Sequence, residues 1–160
     1  MSVAFTREED LEATAADLVD RPISPHPNLV TPGGLAAIDA ALASARAAYS
    51  AAQTRGSIET DRTAMARVTR DLRYWSARRA SAQLVPPQDA PGDTVRFGDT
   101  VTLERDDGRI QSWTLVGEDE SDPAAGKVAY VSPLAQAVLG RRLGDEVTVA
   151  GRTVEIVGIG

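Results

Sequence analysis

Cysteine is absent from this chain of 160 residues, which excludes disulfides and thiolate metal sites. There is a single histidine, His26, flanked by Pro25 and Pro27, and one histidine argues against a His-based triad or zinc centre. Aromatic residues make up only 4% of the chain, so few bulky groups are available to build a core. That suits one ordinary domain or two small ones. Long hydrophobic runs are also missing: the longest apolar stretches are short and Ala-rich, and none has the length of a membrane span. The N-terminal MSVAFTREED lacks the basic start and apolar core of a signal peptide. These absences predict a soluble, cytoplasmic chain with no membrane partner.

What is present is charge, unevenly placed. Residues 1–31 carry six acids and two bases, residues 32–85 four acids and eight bases, and residues 86–160 thirteen acids and seven bases. The three segments therefore carry −4, +4 and −6, and together give the net charge of −6. Such a chain does not coat DNA as a whole, but its basic middle suits RNA or an acidic protein surface.

The hydrophobic pattern divides the chain at similar places. Residues 1–31 read as an N-terminal extension, with one short helix over residues 7–18 and then the proline-rich DRPISPHPN. Thr31 then suits a helix N-cap, Pro32 the first helical position, and Val30 with Leu35 a hydrophobic staple. From Leu35 the apolar positions Ile38, Leu42, Ala45, Tyr49 and Ala52 follow in steps of three and four, and Gly56 suits the stop. Ser57 suits the cap of a second helix, with Ile58, Met65, Val68, Leu72, Trp75 and Ala82 as its seam and Pro86-Pro87 as its end. Two helices of about 24 residues joined by a tight turn bury their narrow stripes most economically against each other. Residues 32–85 are therefore predicted to form an antiparallel coiled-coil hairpin with arms about 36 Å long. Leu42, Leu72 and Trp75 are expected to be buried in or beside the seam.

Residues 86–94 read as a linker, after which the period falls from 3.6 to 2. Val101 and Leu103 alternate with polar residues, Asp107-Gly108 signals a turn, and residues 110–116 resume a strand. An acidic loop follows, Glu118-Asp119-Glu120-Ser121-Asp122, read as an exposed surface. A short strand over residues 127–131 leads to Ser132-Pro133, a helix start by the same cap logic, with Gly140 as the stop. Val147, Val149, Ala150-Gly151, Val154 and Ile156 complete a closing hairpin. Residues 95–160 are thus predicted to be an antiparallel sheet with one helix, making the whole chain α+β.

The run Ser132-Pro133-Leu134-Ala135-Gln136-Ala137-Val138-Leu139, then Gly140-Arg141-Arg142-Leu143-Gly144-Asp145-Glu146, resembles the C-terminal signature of the Gre family of bacterial transcription elongation factors. Val116-Gly117-Glu118-Asp119-Glu120 looks like that family's acidic loop. The hairpin resembles the family in architecture, and its short arms are similar to those of the related Rnk regulators. The resemblance implies an FKBP-like C-terminal domain. It also implies docking of bacterial RNA polymerase at the mouth of its secondary channel, through Glu118, Asp119, Glu120, Asp122, Ser132, Pro133 and Leu134. An FKBP-like fold does not by itself carry prolyl isomerase activity. With Phe97, Trp113 and Tyr130 the only aromatics after residue 86, an aromatic isomerase pocket is not expected.

In Gre factors the hairpin tip offers two acids that help hold a second Mg²⁺ at the polymerase's own active site. Hard oxygen ligands suit that ion. Aligned on Gly56, this chain places Ser57 and Thr60 at the two acidic positions, and each arm is shorter by about one heptad, or about 10 Å. Glu59 and Asp61 stay acidic one position further on, where a helix rotates the side chain by about 100°. Acids in a first helical turn also complement the helix dipole without any metal. The chain is therefore expected not to be an enzyme, and to carry no cofactor of its own; Mg²⁺ enters only if the tip, Ser57 to Asp61 including Ile58, shares the polymerase's ion. The leading expectation is a polymerase-binding elongation regulator with weak or no stimulation of transcript cleavage. One alternative is an active cleavage factor using Glu59 and Asp61. Another is a nucleic-acid binder using hairpin arginines, with Arg55 and Arg62 nearest the tip and nearest any nascent RNA in the elongation complex. Against that stands the lack of aromatic interleaving, which stacking on single strands requires.

Overall fold

The computed structural model describes residues 18–54 and 61–160. Residues 7–17 of the expected helix and the hairpin tip at 55–60 lie outside the described residues. The described residues form two compact units. One holds residues 18–25 and Ile38–Ser81, and the other holds His26–Ala37 and Ala82–Gly160.

The strand β1 (Leu29–Val30) leads into helix α1 (Pro32–Thr54), and helix α2 (Asp61–Ser81) forms the return arm of the hairpin. The start of α1 follows from its sequence. The Thr31 hydroxyl accepts the Gly34 N–H at 3.0 Å, the Leu35 N–H reaches the Thr31 carbonyl at 2.9 Å, and Pro32 has no N–H to satisfy. In the helical unit Ile38, Leu42 and Ala45 are buried along one stripe of α1, as their spacing requires. Arg79 Nε donates to Asp39 Oδ1 at 2.6 Å and ties the two arms together.

The return arm departs from the expected seam. Leu72 and Trp75 are half-buried, whereas Arg78, one of the hairpin arginines, is 2% exposed. Arg78 and Arg79 both lie in the last turn of α2, where the carbonyl end of the helix favours cations, and of the two only Arg78 is buried. Leu42→Ala is accordingly expected to destabilise the helical unit by about 2–5 kcal/mol. Leu72→Ala, which removes a side chain already half in water, is expected to cost about half of that. Denaturant unfolding of both variants measures the ordering.

Helix α2 also stops earlier than Pro86-Pro87. The backbone turns out at Ala82 because the Gln83 and Val85 N–H groups bond the Asn28 and Val30 carbonyls at 2.8 and 2.9 Å. This makes β2 (Gln83–Leu84) a parallel partner of β1, in the register Leu29↔Gln83 and Val30↔Leu84. The stretch read as a linker is tied down in the same unit, with Arg96 Nη1 donating to Gln88 Oε1 at 3.0 Å and Nη2 to the Ala90 carbonyl at 3.4 Å.

The five-stranded sheet of this unit contains β3 (Thr100–Arg105), β4 (Ile110–Val116), β5 (Lys127–Ala129), β6 (Glu146–Val149) and β7 (Arg152–Ile159), in the order β5-β4-β3-β7-β6. The sheet is mostly antiparallel, but β4 and β5 run parallel, where an antiparallel sheet is expected from the sequence. Alternation along β3 buries Val101 and Leu103 and leaves Thr102 and Glu104 outward. Helix α3 (Pro133–Val138) packs Ala135 and Val138 into the same core with Leu115, Val128, Val147, Val154 and Ile156. The β6–β7 turn needs left-handed backbone at both central residues, and Ala150 (φ 51°) and Gly151 (φ 76°) supply it. The result is an α+β domain with one helix packed on a mostly antiparallel sheet.

Candidate functional site

The two motifs singled out in the C-terminal unit leave the sheet at the same end, for a topological reason. Because β4 and β5 are parallel with Val116 opposite Ala129, their C-terminal ends coincide. The chain leaving β4 forms a tight 3₁₀ turn at Glu118–Glu120, and the chain leaving β5 passes Tyr130 and Val131 to the Ser132 cap. The Tyr130 N–H bonds the Val116 carbonyl at 2.8 Å and pins the two exits together. Ser132 caps α3 as expected: its Oγ accepts the Ala135 N–H at 3.2 Å, and its carbonyl accepts the Gln136 N–H at 2.9 Å. Pro133 at the first helical position is exposed, and Leu134 is half-buried against the core.

The acidic turn differs from the expected exposed loop. Glu118, Asp119 and Glu120 are half-buried, and of the named acids only Asp122 is exposed. The Glu120 carboxylate receives the Thr31 hydroxyl, with its second oxygen 3.0 Å away. Thr31 therefore serves α1 twice, accepting from Gly34 and donating to Glu120. A carboxylate at this end also meets the positive pole of the helix. Gly117 fits closely over the backbone carbonyl of Leu29, leaving no room for a side chain. On the opposite side the Tyr130 hydroxyl donates to the Pro27 carbonyl at 2.5 Å. The acidic turn and Tyr130, which precedes the Ser-Pro turn, thus form a clasp around residues 27–34. The reading from sequence placed Thr31 as a cap and Gly117 in the acidic loop but missed the contacts that they and Tyr130 make here; a glycine directly before a strand-ending acidic run is the signal that marks such a close backbone approach.

On the hairpin, Ser57, Ile58, Glu59, Thr60 and Arg55 lie outside the described residues. Asp61 opens α2, and Arg62 is exposed in its first turn. Among the arginines expected to form a solvated or RNA-facing stripe, Arg78 is buried. Arg73 pairs with Asp20 at 3.2 Å, Arg79 with Asp39, and Arg70 approaches Asp71 at 3.9 Å. The continuous basic face is therefore broken by neutralised or buried positions. Among the described residues, no group of three or more histidine, aspartate or glutamate side chains is placed to hold a metal ion. No helix of the described residues is long and apolar enough to cross a membrane.

Comparison with known proteins places the C-terminal half. The family model for the C-terminal domain of transcription elongation factors GreA/GreB matches residues 86–160. Transcription elongation factor GreA of Desulfovibrio desulfuricans is 43% identical over 93 residues, 55% of this chain and 57% of that protein. Transcription elongation factor GreB of Neisseria meningitidis is 42% identical over 86 residues, 53% of each chain. The chain thus spans just over half the length of these curated relatives. Among solved structures, GreA factor homolog 1 of Thermus thermophilus is 19% identical, over 84% of this chain and 99% of that one, with a TM-score of 0.40. The matched region includes the acidic turn, the Ser132 cap and all five strands of the sheet, so residues 86–160 carry the likeness to the C-terminal domain of GreA/GreB factors.

Proposed function

We propose that the chain is a Gre-type transcription elongation regulator that binds bacterial RNA polymerase at its secondary channel without efficiently stimulating transcript cleavage. The observation that carries the binding half is the convergence of the acidic turn and the Ser132-Pro133-Leu134 turn at one end of the parallel β4–β5 pair, within the stretch that matches the family. Asp122 and Pro133 are its exposed elements, and the acids around them suit a basic partner surface. The protein then acts in the cytoplasm on the polymerase's own chemistry and is not itself an enzyme.

The cleavage half rests on the tip. Ser57 and Thr60 are neutral hydroxyls at the positions where the family carries acids, and a hydroxyl is a poor substitute for a carboxylate on Mg²⁺. That donor set does not fit a recruited ion. Arms of 23 and 21 residues give about 32–35 Å of helix, which bounds how far the tip reaches. The expected result is binding to a backtracked elongation complex, no appreciable RNA cleavage, and competition with an ordinary Gre factor. The measurement is transcript cleavage by the wild type beside Glu59→Ala/Asp61→Ala. Robust cleavage by the wild type, lost in the double variant, replaces this reading with an active factor whose acidic pair is shifted. Arg73 and Arg79, paired with carboxylates, and Arg78, buried, weigh against an RNA-binding stripe along α2.

A further inference from the structure

The N-terminal segment is not a bare extension where it is described. Residues 18–25 belong to the helical unit, and Arg21 lies on a built corner of α2. Its guanidinium carbon is 3.8 Å from the centre of the Tyr74 ring and 5.5 Å from that of Trp75. The two rings meet edge to face, with centres 5.0 Å apart and planes at 82°. The third element is a carboxylate: Arg21 Nη1 is 3.6 Å from Asp71 Oδ1. Asp71, Tyr74 and Trp75 stand at i, i+3 and i+4, so one helical face presents all three. Beside them Arg73 Nη1 donates to Asp20 at 3.2 Å, so neighbouring residues of the segment, Asp20 and Arg21, meet opposite charges on α2 and fix the register. Arg70, 3.9 Å from the same Asp71 oxygen, is a competing cation at this carboxylate.

We propose that Asp71, Tyr74 and Trp75 form a guanidinium-binding site on α2, which the chain keeps filled with its own Arg21. An arginine is the ligand this geometry suits, because its flat, always charged head stacks on a ring face while its edge meets a carboxylate. The Arg73–Asp20 pair is largely exposed and the Arg21–Asp71 pair is long and partly open to water, so they contribute little alone. The stack on Tyr74 and Trp75 supplies most of the hold. Arg21 precedes Pro22, which disfavours helical backbone at Arg21 and presents its side chain from an extended segment. The N-terminal segment is then a releasable strap along the hairpin, and its release uncovers a site for an arginine of another molecule. This inference does not depend on polymerase binding.

The experiment follows the two tryptophan indole signals of the full chain by NMR, in the wild type and in Arg21→Ala. Loss of the guanidinium is expected to lower the docked-to-free ratio of the strap by about tenfold. The Trp75 signal then moves while that of Trp113 stays in place. Arginine amide is added to about ten times the millimolar effective concentration expected for a tethered residue. In Arg21→Ala it is expected to shift Trp75 saturably; in the wild type, where the site is filled, it is expected to do much less. Lysine amide, lacking the flat head, is the control and is expected to act several-fold more weakly. An unmoved Trp75 signal in Arg21→Ala overturns the proposal, and so does an equal response of both proteins to arginine amide.

Discussion

Gly117→Ala is expected to destabilise the C-terminal unit by about 1–3 kcal/mol and to lower its melting point by roughly 4–8 °C for each kcal/mol. The new methyl group would overlap the Leu29 carbonyl, a backbone atom that cannot rotate away. Moving Leu29 disturbs the β1–β2 pairing and the Tyr130 bond to Pro27 as well, because all three hold the same short segment. Gly34→Ala is the informative contrast. Its methyl would come within 2.8 Å of Glu120 Oε1, the end of a side chain that can swing aside. The lost Thr31–Glu120 bond is offset by about 1 kcal/mol of improved helix propensity, leaving a net change near zero. Thermal melts rank the two variants, and hydrogen exchange at the Gln83 and Val85 amides reports on the clasp directly. A Gly117→Ala protein that melts with the wild type would remove the clasp from the account of stability.

Much of this architecture was legible in the sequence wherever a signal was local. Thr31-Pro32 and Ser132-Pro133 cap their helices because one side-chain oxygen and one missing N–H act within a single turn. The Ala150-Gly151 turn was legible for the same reason. What was not legible depends on partners distant in sequence. The two-residue strands β1 and β2 are too short to show a period, yet they end α2 at Ser81 by taking the next backbone donors. Alternation in β4 and β5 reveals which residues face the core but not strand direction, so the parallel pair that unites the two motifs was hidden. Charge was misread in the same way. Glu120 and Arg78 look like surface residues by type, and only the fold brings Thr31 to one and buries the other. Trp75 reads as seam from its spacing, whereas its ring is half-buried beside Tyr74 and under Arg21.

The burial of the acidic turn separates two roles that the sequence treats as one, and this separation gives the sharpest test of the proposed docking face. Asp119→Lys with Asp122→Lys is expected to weaken polymerase binding by about 10- to 100-fold at low salt, mainly through a slower association rate. The deficit should shrink as ionic strength rises, because charges at the rim of an interface are screened within about 10 Å at 0.1 M salt. Glu120→Gln is expected to behave differently. Its carboxylate is engaged by Thr31 at the start of α1, so removing the charge weakens a charge-assisted hydrogen bond and a favourable helix-end interaction. Stability should fall by about 1–2 kcal/mol, with little change in the salt dependence of binding by the folded protein. Surface plasmon resonance across a salt series, run beside thermal melts of the same proteins, distinguishes the two patterns. Wild-type association by the double reversal would take the acidic turn out of the interface. A Glu120→Gln protein of normal stability but reduced, salt-sensitive binding would move Glu120 from the clasp to the docking surface.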